Sequence, residues 1–303
     1  MRSIPGEVLW SYLAGAMVLA IGSIAVALRG DWSRSRGLDR LVMLGPLFFA
    51  APLAAFGAEH FTREEAIASI VPAWIPWHHF WAYLVGACFI AAALSLVTGV
   101  RARLAAALLA LTFLLFVVLM DAPAWAEDPR DPFALTLALR ELSFSGGALA
   151  FAASLTPPAR ESLATTLATI ARYFVGVPVL VFGVEQFMRG DMVPGVPLNR
   201  VTPDYVPGHA VWTYLAAVVY VLAGALLLAG RRTRRAATIA GLTVLLLVLV
   251  VYLPMAVVER ASLDSGLNFL ADTLMFCGAV LLLAGAMPAE AARPGPAAAS
   301  LQR

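Results

Sequence analysis

With 303 residues, 61% of them hydrophobic and only 13% charged, the chain is too apolar for a soluble domain, which would be closer to about half apolar and roughly a quarter charged. The net charge of +2 and the lack of any basic stripe interleaved with aromatics exclude a nucleic-acid partner. The 21 basic residues are all arginine, and the two cysteines, Cys88 and Cys277, lie in separate apolar runs without paired spacing, which argues against thiol-disulfide chemistry.

In chain order, the first apolar run extends from Leu9 to Leu28. At about 20 residues it exceeds the roughly 7–15 of a secretory core, so it is read as a retained spanning helix over 9–28. Cleavage at Ala25-Val26-Ala27 would leave eight spans instead of nine. Further spans are predicted over 41–60, 79–99, 104–122, 137–156, 169–188, 209–229, 236–256 and 265–286, each near the roughly 20 residues that cross a hydrocarbon core. Proline, glycine and charge mark the loops at 29–40, 62–77, 121–132, 156–161, 190–208 and 231–235. From Pro288 the chain is rich in alanine and proline, and this tail is expected to be disordered. The segments 29–40, 100–103, 157–172 and 230–235, with the tail, hold 14 arginines and 4 acids. The positive-inside bias then predicts the N-terminus outside and the C-terminus in the cytoplasm of a bacterial-type inner membrane.

The second half repeats the first. Pro76, His78, Gly99, Arg101, Arg103, Pro123 and Gly147 reappear 131 residues later as Pro207, His209, Gly230, Arg232, Arg234, Pro254 and Gly278. Phe56-Gly57-Ala58-Glu59-His60-Phe61 returns as Phe182-Gly183-Val184-Glu185-Gln186-Phe187 at an offset of 126, because the second copy carries five more residues in the loop that follows. Four spans per copy give both the same orientation, hence parallel repeats. The expected fold is all-α and polytopic: an N-terminal helix and loop (1–40), a four-helix repeat (41–158), a second (159–287) and the tail (288–303). The lipid bilayer is the first partner such a chain implies.

Polar residues inside the spans collect toward one end. In the first copy Glu59 and His60 close a span, His78 and Trp81 open the next, and Arg140 and Glu141 lie about one turn inside the fourth. Glu185, Gln186, His209, Trp212, Asn268 and Asp272 hold comparable places in the second. A charge at mid-span costs roughly 2.5–3.5 kcal/mol on insertion scales, so such groups are expected to face a bundle interior and pair. Arg140 can neutralise Glu59 or Glu141, whereas Ala271 stands at its counterpart position and leaves Glu185 and Asp272 without a cation in their own copy. These residues are ligand-binding or proton-relay candidates. The plainer reading is that such pairs only lock helices, at about 0.6 kcal/mol per bond. Glu59, His60, His78 and His79 have the chemistry of zinc, copper or iron ligands, but no ligand-spacing motif is present and no metal or haem site is assigned. There is no nucleophile elbow, phosphate-binding loop or dinucleotide fingerprint, so no catalytic residue is assigned.

The Gly-x-Glu-(His/Gln)-Phe span ends, Pro76-Trp77-His78 and Pro207-Gly208-His209, the two Trp-x-Tyr-Leu helix starts at 81–84 and 212–215, and the Arg-x-Arg pairs at 101 and 232 together resemble the DoxX-like membrane proteins. The resemblance covers about residues 41–156 and 169–286. It implies four-helix units, here two fused in tandem. Because the family includes a small subunit associated with quinone-linked sulfur oxidation, it also implies a quinone-linked or redox-accessory role beside a membrane redox partner subunit. Three functions stay open. One is an accessory protein binding a quinone or lipid head group between Glu59, His78, Trp81 and Glu141, or their counterparts. Another is a proton-coupled small-molecule transporter, and the third a structural or assembly protein with no ligand.

Overall fold

A computed structural model describes residues 4–289, so most of the predicted tail lies outside the described residues. Among the described residues the chain is helical apart from its loops and one antiparallel bridge between Met192 and Val201. Nine long helices follow one another: α1 (Gly6–Arg29), α2 (Gly45–Thr62), α3 (His78–Thr98), α4 (Ala102–Glu127), α5 (Pro132–Ser154), α6 (Glu161–Met188), α7 (His209–Leu228), α8 (Thr233–Val258) and α9 (Leu263–Ala286). All but α5 are long and apolar enough to cross a membrane. The 23-residue α5 has the length but a more polar composition, with Arg140, Glu141 and several hydroxyls. It is packed among α4, α6 and α9, so its polar side chains meet protein. On α4, by contrast, Leu104, Leu108, Leu111, Leu115 and Val118 recur at helical spacing and are all exposed, the mark of a face turned to lipid.

The helices depart from the sequence reading where capping or polarity decides. The start of α5 is at Pro132, five residues before the predicted 137, because the Asp131 carboxylate accepts from Phe133 N at 2.9 Å and Pro132 suits the first helical turn. Eight residues before its predicted 169, α6 begins at Glu161. That first stretch is polar and mostly exposed, so hydropathy passed over it. The predicted loops contain short helices at Asp31–Arg34 and Glu64–Ile70, and a third, Asp39–Met43, straddles the predicted boundary between loop 29–40 and span 41–60. In α4 and α8 the turns Val117–Asp121 and Val248–Tyr252 widen to π geometry just before Pro123 and Pro254. A proline in a helix clashes with the carbonyl four residues back, and a wider turn relieves that clash.

The helices pack as two five-membered rings that share one edge. Ring one is α2, α3, α4, α5 and α9; ring two is α6, α7, α8, α9 and α5. The first half does not close on itself, and the second closes only through a slight contact of α6 with α9. The last helix of the first half, α5, lies against α6, and the last helix of the second half, α9, lies against α2. Two glycines permit this. A Cβ on Gly147 would stand 2.5 Å from Ala279 Cα, where α5 meets α9; one on Gly278 would stand 2.4 Å from Phe49 N, where α9 meets α2. Only a glycine lets the backbones approach so closely. Outside ring one, α1 packs on α2 and α3 and buries only Val8, Ser11, Val18 and Gly22.

Candidate functional site

The rings have an acidic end, where α1 begins, and an arginine-rich end, where α2 begins. At the acidic end of ring one the side chains of both halves converge. Arg140 of α5 donates from Nη2 to Glu141 Oε1 at 2.7 Å and from Nη1 to Asp272 Oδ2 of α9 at 3.0 Å. On the same helix, one turn toward the end, Asn268 donates through Nδ2 to Glu59 Oε2 of α2 at 3.4 Å. Asp121, from the π turn of α4, lies within electrostatic range of Arg140 and Glu141. Arg140 stands about 12 Å along α5 from its start, at 1.5 Å per residue, whereas Glu59 lies in the last turn of α2.

Several of these side chains pair between the two halves of the chain. The cation missing from the second half is Arg140 of the first, because α5 and α9 lie side by side. Glu59 is likewise bound from the other half by Asn268, and Glu185 by Thr136, whose Oγ1 lies 3.3 Å from its Oε2.

Five buried atoms of ring one have no hydrogen-bond partner in the protein. Four are acceptors, Glu59 Oε1, Asp121 Oδ2, Glu141 Oε2 and Asn268 Oδ1, and one is the donor Arg140 Nε. Toward the arginine-rich end the cluster rests on phenylalanine. The Phe49 ring lies 6.4 Å from Phe113 and 6.3 Å from Phe144; Phe113 lies 5.4 Å from Phe89; and the Arg140 guanidinium sits 6.0 Å from the Phe144 ring.

Ring two is filled differently. The segment predicted as an external loop at 190–208 turns inward as a hairpin, closed by the Met192–Val201 bridge and by Val193 N donating to Arg200 O at 2.9 Å. Residues 193–198 of its tip are buried. Buried carbonyls need donors, and three helices supply them. Tyr252 of α8 donates to Pro194 O at 2.5 Å, Gln186 of α6 to Gly195 O at 2.9 Å, and Thr136 of α5 is shared between Glu185 and Pro197 O. The hairpin base is clamped by Arg200, which binds the Glu259 carboxylate and the Ser265 carbonyl, and by Tyr205, which donates to Glu259 at 3.0 Å. Burial acts to raise the Glu259 carboxyl, but hydrogen bonds from Ser265, Arg200 and Tyr205 and the Arg200 charge outweigh it and hold the group below the usual glutamate value.

The other sequence candidates lie elsewhere. His60 donates from Nδ1 to Phe56 O of its own helix at 2.8 Å and sets its ring edge-on to Phe89, facing α3. His78 lines a surface groove of about 650 Å³ with Glu65, Trp77 and His79. Trp81 and Trp212 donate to Pro76 O and Pro207 O, at 3.0 and 3.2 Å, and fasten the loops before their helices. His209 is exposed at the start of α7. Asp121, Thr136 and Tyr252 were not singled out from sequence. Asp121 carries a signal, an acid at the end of an apolar run, and falls where the predicted span 104–122 and the predicted loop 121–132 overlap. Among the described residues no three His, Cys, Asp or Glu side chains converge as a metal site would require.

No protein-family model matches the chain, and neither a curated protein nor a solved structure is similar to it.

Proposed function

We propose that this integral membrane protein binds a small amphiphile with a hydroxyl-bearing head, a hydroquinone in the first instance, at the acidic end of ring one. Its role is accessory to a quinone-linked redox system. The observation that carries this reading is the surplus of acceptors: four partnerless buried oxygens face one partnerless N–H. A buried polar atom left unpaired costs about 1–3 kcal/mol, so a head group that brings O–H donors is favoured over one that brings only carbonyls. Glu59 and Glu141 would take the hydroxyls, and the phenylalanine floor offers edges and faces to a flat ring. Neighbours α3 and α4 make the slightest contact in the ring, which leaves a seam for an apolar tail. A hydroquinone, when bound, supplies two electrons and two protons to a redox partner embedded in the same membrane.

Features that recur at one spacing support reading the chain as two DoxX-like units in tandem. The π turns, the left-handed Arg101 and Arg232, and the Trp81 and Trp212 hydrogen bonds all reappear 131 residues on. The arginine distribution supports an N-terminus outside and a C-terminus in the cytoplasm of a bacterial inner membrane. A proton-coupled transporter is less well served, because the phenylalanine floor interrupts any polar route from the carboxylates to the arginine-rich end.

The reading is tested by a mass-spectrometric inventory of small molecules kept by gently purified protein. A quinone-class lipid should be retained near stoichiometrically by the wild type and lost from a Glu59→Gln, Glu141→Gln variant that still melts cooperatively. Equal retention by that variant, or none above membrane background, would overturn it. Solute uptake driven by a proton gradient in proteoliposomes would favour transport instead.

A further inference from the structure

The opposite end of ring one holds a cavity of about 560 Å³, in the usual range for a small-ligand site. Its wall is apolar, with Leu47 of α2, Leu96 of α3, and Phe151 and Leu155 of α5. Its mouth is basic, with Arg29, Arg101 and Arg103, and the first turn of α4 at Ala102–Leu104 directs backbone N–H groups to the same place. Asp31 also lines it, but is paired with Arg34 at 3.2 Å.

Ring two shows what Arg103 could have done instead. There, Arg234 stands at the position of Arg103. It donates to Ala284 O and Met287 O, and to Asp39 at 2.8 Å. Arg172 caps the end of α7 through Leu227 O at 2.7 Å, as Arg29 caps α3 through Val97 O at 2.8 Å. Among the described residues Arg101 and Arg103 make no side-chain hydrogen bond or ion pair, although they border a cavity. Basic groups at the mouth of an apolar cleft between membrane helices match an anionic head with a hydrocarbon chain.

We propose that this cavity binds the phosphate head group of an anionic phospholipid, with an acyl chain along the Leu47, Leu96 and Phe151 wall. The site is distinct from the acidic end and does not depend on what binds there. Free phosphate shares the head-group chemistry, and the experiment separates the two sources.

Full-length protein in neutral detergent is titrated with phosphatidylglycerol or phosphatidylcholine and read by native mass spectrometry. The phosphatidylglycerol should bind preferentially. Arg101→Gln with Arg103→Gln should weaken it roughly 30-fold, and Arg160→Gln with Arg231→Gln, the same charge change on exposed arginines of the same end, should leave it within about twofold. Leu155→Trp, which narrows the cavity without touching charge, should also lower retention. The proposal fails if the two lipids bind alike, if the control pair weakens binding as much as the test pair, or if Leu155→Trp has no effect. It also fails if millimolar inorganic phosphate alone displaces the lipid, since the ligand would then be the free anion.

Discussion

Arg140 joins the two halves through one side chain: its guanidinium binds Glu141 beside it and Asp272 on the neighbouring α9. Removing one member of a buried ion pair leaves the other uncompensated. Arg140→Met should therefore cost about 3–5 kcal/mol, measured by thermal or denaturant unfolding in detergent. A double-mutant cycle with Asp272→Asn should give a coupling of about 1–3 kcal/mol, whereas additivity within about 0.5 kcal/mol would mean the two do not touch. The sequence identified nearly every member of this cluster, since charges in apolar runs are conspicuous. It did not give the pairing. Ala271 at the counterpart of Arg140 made Asp272 look unpartnered, because which helix faces α9 is set by packing and not by spacing along the chain. His60, His78 and His209 were singled out by type, yet their helix faces turn them elsewhere.

Among the elements, the hairpin between α6 and α7 was the least legible. A stretch of Val193-Pro194-Gly195-Val196-Pro197-Leu198 reads as a loop by its prolines, and only its three apolar side chains hint at burial. Glu259 clamps its base with a depressed carboxyl value. The sign follows directly: a folded value below the unfolded one contributes stability above the ordinary glutamate value of about 4.3, and that contribution is lost as pH falls through the folded value. Amide exchange at Val193 and Val196, corrected for intrinsic rates, should accordingly rise below about pH 4. Glu259→Gln should raise it roughly tenfold at neutral pH and flatten the pH dependence, the modest size reflecting partial solvent screening. An unchanged exchange profile in that variant would remove the clamp from the account. The glycine contacts belong to the same scale. Gly278→Val pushes side-chain atoms into the Phe49 backbone and should destabilise by about 1–3 kcal/mol, read as a lower unfolding midpoint.

For the molecule as a whole, hydropathy is enough to indicate a polytopic helical chain, and eight of the nine long helices among the described residues carry an apolar run of spanning length, α5 being the more polar one. Hydropathy says nothing about which helix lies beside which, so the sharing of α5 and α9 between two rings was invisible. The two rings present the same end to the same side, yet ring two is filled by the 190–208 hairpin while ring one keeps partnerless carboxylates over an aromatic floor. The most direct test of this interlocked arrangement is to express residues 1–158 and 159–303 as separate chains and measure their association by co-purification and size in detergent. The two pieces should co-purify at equal stoichiometry, and neither alone should yield a folded monomer. A stable, cooperatively melting monomer from either piece alone would show that each half closes on itself, and would contradict the account.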